Sequence, residues 1–335
     1  MSQEPSNERP SQSAASPEAA VSKAVSPQVR QQIAVLRSDR HNRRSLFELG
    51  STYALIGLAL WMTQHPFHWM AYPLAFLLMG MMQYRLVMSS HEAVHKTLLS
   101  PVWLNETFGS VNAGLVGISF FNYRKTHLDH HKSPQHIRDD TDAYIYRPLL
   151  LSKPGLPRLS LLLLGVWMDI YVKLKRKIAG VRPTEKTSSP VGKATDSQLW
   201  LIATLQILLL AGFSLGAQWW QYFVFWFAPI FVIALTMDRI RIFVEHGYWY
   251  LFFEPAISVD EAWQATVDIQ TNPLEAYILA PFGFDSHQAH HAQLTVPYYN
   301  LKRLSDLLRA HDNRYHALVK GSYLGILRRM IWASK

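Results

Sequence analysis

The apolar residues of this chain come in blocks arranged as two pairs, and that constrains its fold more than any other feature. One pair covers about Leu46 to Met62 and Trp69 to Met88; the other covers about Leu199 to Leu215 and Trp219 to Met237. Each block is long enough, or nearly so, to cross a hydrocarbon core as a helix of roughly 20 residues. A spanning segment must satisfy its own backbone, so blocks of this length predict helices. The connections, Gln64-His65-Pro66-Phe67-His68 and Gly216-Ala217-Gln218, hold no Lys or Arg, so each pair predicts a tight hairpin. Trp200, Trp219, Trp220 and Trp226 suit an interfacial belt.

The expected architecture is therefore an all-α integral membrane protein of four spans, with a helical cap built from the remaining sequence. Basic residues lie at Arg37, Arg40, Arg43 and Arg44, at Arg124-Lys125, from Lys173 to Lys177, and at Arg303, Arg309, Arg328 and Arg329. The positive-inside rule then puts both termini and the central region on the cytoplasmic face. A net charge of +9 raises nucleic acid as a partner. The basic residues flank apolar blocks and form no helix-turn-helix or zinc-finger pattern, so no nucleic-acid partner is expected and the membrane surface is.

Residues 1–45 read as a disordered, basic-ended tail, its first 28 or so rich in Ser, Pro, Ala, Gln and Glu with no apolar run. Residues 46–312 form the main domain and 313–335 a basic C-terminal tail. Two shorter apolar patches, 108–121 and 159–171, are expected at the interface. The chain has no cysteine. That excludes disulfides, thiolate zinc sites, cysteine-ligated clusters and cysteine nucleophiles. Electrons consumed at a metal would have to come from another protein or a non-thiolate cofactor.

Eight of the fifteen histidines fall in three boxes: His91-Glu92-Ala93-Val94-His95, His127-Leu128-Asp129-His130-His131 and His287-Gln288-Ala289-His290-His291. On a helix, spacings of three and four share a face. Each box can thus offer two or three imidazoles to one locus. Imidazole suits Fe, Zn, Cu and Ni alike, so ligand type does not choose the metal. Eight or nine nitrogens are too many for one tetrahedral zinc and fit two metal ions. His65, His68, His136, His311 and His316 lack such context and are read as non-ligands. The first box also satisfies HExxH, the pattern of zinc proteases with Glu92 as base. That reading leaves two HxxHH boxes idle, and no compact Asp-Gly turn on a later span supplies its third ligand.

In combination, HExxH, then Asn112 and Gly114, then Tyr123-Arg124-x-x-His127-x-x-His130-His131 with Asp140 and Asp142, resembles the membrane fatty-acid desaturases. So do Arg241-x-x-x-Glu245-His246 and His287-x-x-His290-His291 leading to Pro297, Tyr299 and Leu301. The likeness covers roughly residues 46–312. One departure is Leu294, where many members place a proline. Carotenoid ketolases, hydroxylases and alkane monooxygenases share the theme.

The resemblance implies a non-haem di-iron centre using O2 as co-substrate and acting on a membrane lipid or fatty acyl chain. It implies His91, His95, His127, His130, His131, His287, His290 and His291 as ligands, with His246 as an extra one. Glu92, Asp129, Asp140, Asp142, Glu245 and Arg124 are the charged residues placed to orient those rings. Removing hydrogens from an unactivated alkyl chain needs a redox metal, which zinc is not. No His-Pro-Gly-Gly haem motif is present, so a separate ferredoxin or cytochrome b5 type donor is expected.

Overall fold

Long helices dominate the computed structural model, which describes residues 25–64, 70–132, 140–178, 196–253, 265–312, 315 and 318–334. In chain order these are α1 Pro27–Ser38, α2 Asn42–Gln64, α3 Ala71–Val94, α4 Val102–Leu115, α5 Phe120–Lys132, α6 Ala143–Leu151 and α7 Leu156–Ile178. The helix α8 follows at Asp196–Gly216, and α9 runs unbroken over Trp219–Phe252. The remainder comprises β1 Asp268–Gln270, α10 Pro273–Leu279, α11 His287–Ala292, α12 Leu301–His311, β2 Leu318–Lys320 and α13 Tyr323–Trp332. The two strands pair in parallel, Asp268 opposite Leu318, a small departure from the all-helical expectation.

Among the described residues, three helices are long and apolar enough to cross a membrane: α2, residues Ser197–Gly216 of α8, and α9. The helix α3 covers the predicted second span from residue 71, but Gln83, Tyr84 and Arg85 interrupt its apolar run. Arg85 is fully buried and paired, as an ion among apolar helices must be. Its guanidinium donates to Thr52 Oγ1 (3.0 Å), Tyr277 O (2.6 Å) and the Glu48 carboxylate, and lies 3.7 Å from the Tyr277 ring centre. The turn ends of the two hairpins meet, Gln64 Nε2 donating to Gln221 Oε1 at 2.8 Å.

Both shorter patches become parts of real helices. Residues 108–121 divide between α4 and α5 at a turn where Gly117 has φ +76°. The final carbonyls of α4 are buried in protein: Gln206 Nε2 donates to Gly114 O and Leu115 O, and Trp226 Nε1 to Leu115 O. Partners of this kind are what a helix end needs where water is scarce. Residues 159–171 lie within α7, which is amphipathic. Leu162 and Val166 are buried, while Leu163, Leu164, Trp167, Met168 and Tyr171 are exposed, the pattern of a helix lying on an interface.

Both chain ends are folded over their described residues. Residues 1–24 lie outside the described residues, but from Ser26 the supposed tail is ordered. Ser26 caps α1, and Val29, Ile33 and Leu36 bury one face of it. Asn300, just before α12, donates through Nδ2 to Leu36 O at 2.9 Å. The basic stretch that follows residue 28 is compatible with a helix by sequence, and the structure folds Pro27–Ser38 as one, with only one residue in three or four apolar. At the other end α13 buries Tyr323, Ile326, Leu327, Met330 and Ile331, and Arg158 donates to the carbonyls of Met330 (2.6 Å) and Ala333 (2.9 Å). The basic residues there occupy the outer face of a folded helix.

The close fit of α4 on α3 depends on Gly109: a Cβ there would stand 2.6 Å from Ala93 Cβ and 2.7 Å from the Phe120 ring. Neither neighbour can yield without moving the first or second box. Gly109→Val is therefore expected to cost about 1–3 kcal/mol through overpacking, measured as a lower thermal midpoint in detergent. Gly57→Ala, with nothing within 4 Å, should stay close to the parent.

Candidate metal centre

The first box sits where α3 stops. The helix ends in a left-handed residue, Lys96, with φ 59°. Lys96 N donates to Ala93 O (3.1 Å) and Thr97 N to Glu92 O (3.2 Å), the double closure that satisfies the last carbonyls of a helix. Buried Asn105 completes the turn. Its Oδ1 accepts from the amides of Leu98 and Leu99 at 3.2 and 3.3 Å, and its Nδ2 donates to Ala93 O at 2.8 Å. His91 is thereby held inside the helix and His95 on its final turn.

The second box lies on α5 and the third on the short helix α11. The buried carboxylate of Asp268, on β1, fixes α11. It accepts the amides of Gln288 (2.8 Å) and Ala289 (3.2 Å), the Ser305 hydroxyl (2.5 Å) and the Tyr315 hydroxyl. Two amides that a helix start leaves without partners are satisfied from a distant strand. His246 comes from a π-helical turn of α9, Phe243–Gly247, a local widening frequent at functional sites.

All nine histidines are buried and fall into two groups. One holds His91, His95, His127, His131 and His290; the other holds His130, His246, His287 and His291. The grouping cuts across the boxes. In α5 the pair four apart, His127 and His131, joins the first group and His130 the second. In α11 the pair His287 and His291 joins the second group and His290 the first. Helix geometry explains this: at about 100° per residue, positions four apart diverge by about 40° and the third position lies on the other flank. The expectation of one locus per box is corrected accordingly.

In the first group His127 Nε2 lies 3.0 Å from His95 Nε2 and 2.8 Å from His131 Nε2, and His131 Nε2 lies 3.3 Å from His290 Nε2. In the second, His287 Nε2 is 3.1 Å from both His246 Nε2 and His291 Nε2. A neutral imidazole carries one N–H, so such a ring of nitrogens cannot be satisfied by mutual hydrogen bonds. Two nitrogens each about 2.1 Å from one ion and at right angles to each other would stand about 3 Å apart. The buried His91 Nε2 has no hydrogen-bond partner among the described residues. The donor set fits a metal ion in each group.

The electrostatics agree. Burial, reinforced by neighbouring imidazoles, holds His127, His131, His287, His290 and His291 well below the ordinary histidine value. These rings stay neutral and keep a lone pair for a metal. For His130 burial pulls the same way, but Asp140 at 2.6 Å and Asp142 at 3.8 Å outweigh it and hold the ring up at about 9. Asp140 also accepts from Tyr146 Oη (2.5 Å) and from Asp142 N (2.8 Å). Tyr146 in turn stacks on His246, ring centres 5.8 Å apart.

The other orienting candidates divide. Glu92 Oε1 lies 3.1 Å from His91 Nδ1, and its Oε2 accepts from Thr97 Oγ1 at 2.9 Å, so it faces a ring rather than an open base position. Glu245 accepts from Arg241 at 2.6 Å and lies 3.5 Å from His287 Nε2. Arg124 instead binds Glu106 (2.7 Å) and Ala93 O (3.3 Å), stacking on Phe120 and bracing the first box through its backbone. Asp129 is half-buried, and Asp140 is the carboxylate on His130. His311 is exposed and binds Leu307 O; His65, His68, His136 and His316 lie outside the described residues. Asn105, Tyr146 and Asp268 went unnoticed in the sequence because none has a motif spacing to a box.

The description "Fatty acid desaturase" belongs to a family model that matches residues 67–322. An sn-1 acyl-lipid omega-3 desaturase (ferredoxin) of Nostoc sp. is 24% identical over 314 residues, covering 87% of this chain and 80% of its own. A Synechocystis sp. protein of the same name is 23% identical over 266 residues, 74% of this chain and 70% of its own.

Residues that orient a metal-binding imidazole usually matter 10–100-fold in metal affinity. Asp140→Asn and Tyr146→Phe are each expected to weaken metal retention by about that factor, read as metal per chain after chelator challenge. Asp268→Ala should orphan two buried amides at about 1–3 kcal/mol each, lowering both the thermal midpoint and metal retention. The metal-free protein should also lose stability in acid. Below about 6.5 the unfolded histidines take up protons that the five depressed rings refuse. His130 acts oppositely, its contribution complete below about 6.5 and lost as pH rises through about 9. Thermal midpoints of apoprotein should fall from pH 7 to 5 and decline more gently above pH 8.

Proposed function

The chain belongs to the fatty acid desaturase family of oxidoreductases, and from that premise we propose that it introduces a double bond into a fatty acyl chain of a membrane lipid at a histidine-held di-iron centre. The observation that carries this reading is the division of nine buried imidazoles into groups of five and four, a set suited to two ions and excessive for one.

His91, His95, His127, His131 and His290 would hold one ion, and His130, His246, His287 and His291 the other. Two irons, when bound, supply the reduction of O2 and the removal of hydrogen from an unactivated chain, which zinc cannot. Overall, the saturated C–C bond gives up two hydrogens; with O2, two electrons and two protons from outside, the products are a C=C bond and two waters. The protein's own part is to orient and exclude. Asp140 and Glu92 fix the His130 and His91 rings by hydrogen bonds at their Nδ1 atoms. Phe284, 3% exposed, lies against both His91 and His287 and keeps water from the space between the groups.

For topology we propose four spans, α2, α3, α8 and α9, with the histidines and both termini on the cytoplasmic face. Support comes from the length of α3, 24 residues or about 36 Å, from the hairpin connections without Lys or Arg, and from the Gln64–Gln221 contact at the end away from His91 and His246. A lipid-borne substrate and a ferredoxin-type donor are supported by the two relatives, whose names state both.

The test is expression in a host of defined lipid composition, with fatty acid analysis and metal analysis of the purified protein. A new unsaturated acyl species and about two irons per chain are expected, and His130→Ala or His246→Ala should reduce the product by about 100-fold or more. One zinc with no iron, or altered carotenoids with unchanged fatty acids, would refute the proposal.

A further inference from the structure

Two electrons per turnover must enter a site whose nine histidines are all buried, in a chain with no cysteine of its own. We propose that the outer face of α1 and α12 is the docking surface for a small acidic one-electron carrier, with Arg37 and Arg40 as its contact to the metal centre; this rests on the desaturase reading above.

Proximity is the first reason. Arg40, exposed, donates through Nη1 to Lys96 O at 2.9 Å, and Lys96 directly follows His95. Its Nη2 donates to Thr295 O at 3.4 Å. Half-buried Arg37 donates through Nη2 to Gln293 Oε1 at 2.7 Å, and Gln293 closes α11 two residues beyond His291. From this face each histidine group is thus reached through one hydrogen bond and a residue or two of backbone. Short bonded routes of this kind carry electrons better than gaps through space.

Charge is the second. Arg30, Arg40, Lys96, Lys302 and Arg303 are exposed here. The acids on the same face are already engaged, Asp39 with Arg303 at 3.6 Å and Asp306 with Arg309 at 2.5 Å. The uncompensated charge is positive, which steers an acidic partner and favours fast, reversible encounters.

The third reason separates a soluble protein from the bilayer. The outward residues of α1 and α12 are Arg, Lys, Gln, Asp, Ser, Ala, Pro27 and His311, with Val35 the one exposed large aliphatic among them. A helix lying on lipid exposes a broad apolar face, as α7 does with Leu163, Leu164, Trp167 and Met168.

The experiment uses the full-length iron-loaded protein in phosphatidylcholine discs, with a [2Fe–2S] ferredoxin as probe. Kd for ferredoxin and, where turnover occurs, KM for ferredoxin are measured across ionic strength. The double variant Lys302→Glu/Arg303→Glu should raise both about tenfold or more at low salt and flatten their salt dependence, with iron content unchanged. Arg328→Glu, exposed on α13, should leave Kd and KM as in the parent. The proposal is overturned by a double variant matching the parent in Kd and salt dependence, or by an equal shift in Arg328→Glu. It is also overturned by a shift that appears only when the discs contain phosphatidylserine, which would make the face a headgroup site. Binding is read without turnover. Ferredoxin that binds in this charge-dependent way while no double bond forms would therefore sink the reaction and leave the docking face standing.

Discussion

Nine buried imidazoles in two groups, the ring nitrogens of each group all within 4.8 Å of one another, are the arrangement on which the rest of this structure depends. Left to themselves they would be unfavourable, because buried acceptors facing acceptors lack partners. Protonating them is no remedy, since burial and mutual repulsion oppose charge on most of the rings. A metal cation in each group would remove the conflict by taking the lone pairs. Carboxylates then serve on the outer side, where Asp140 and Glu92 meet the Nδ1 atoms of His130 and His91.

Holding such a set needs backbone that does not yield, and three of the four histidine-bearing segments have a device of their own. Box one is locked by the left-handed turn at Lys96 and by Asn105. Box three, on a helix too short to hold itself, borrows Asp268 from β1. His246 stands on a widened turn of a long apolar helix. These devices belong to four separate parts of the chain, so the centre also ties the fold together. The α1 segment closes the assembly from outside: Arg40, Asn42 and Asn300 bridge the exits of boxes one and three. That bridging explains why a segment of polar composition is ordered.

Much of the architecture could be read directly because its physics is local. The apolar blocks announce their helices, since a bilayer leaves the backbone no alternative, and the i, i+3, i+4 spacings announce the ligand faces. Boundaries read less well where burial depends on a partner. The helix α9 continues through Arg241 and Glu245 because those two charges neutralise each other, which composition alone reads as the end of a span. The helix α4 could be placed only once Gln206 and Trp226 were seen to receive its last carbonyls. Asp268 lies some twenty residues before the helix it caps, so no spacing rule could find it.

The sequence alone determined the donors on offer: three histidine boxes, no thiolate, and apolar blocks on either side. Residue type and helical period settle that without reference to anything distant. Tertiary structure decided how the imidazoles divide. His127 and His131 part from His130, and His290 from its neighbours, because two helices face each other and each sends its i, i+4 pair one way and its remaining ring the other. A helix specifies the directions of its own side chains; what stands in those directions is fixed only when other helices arrive.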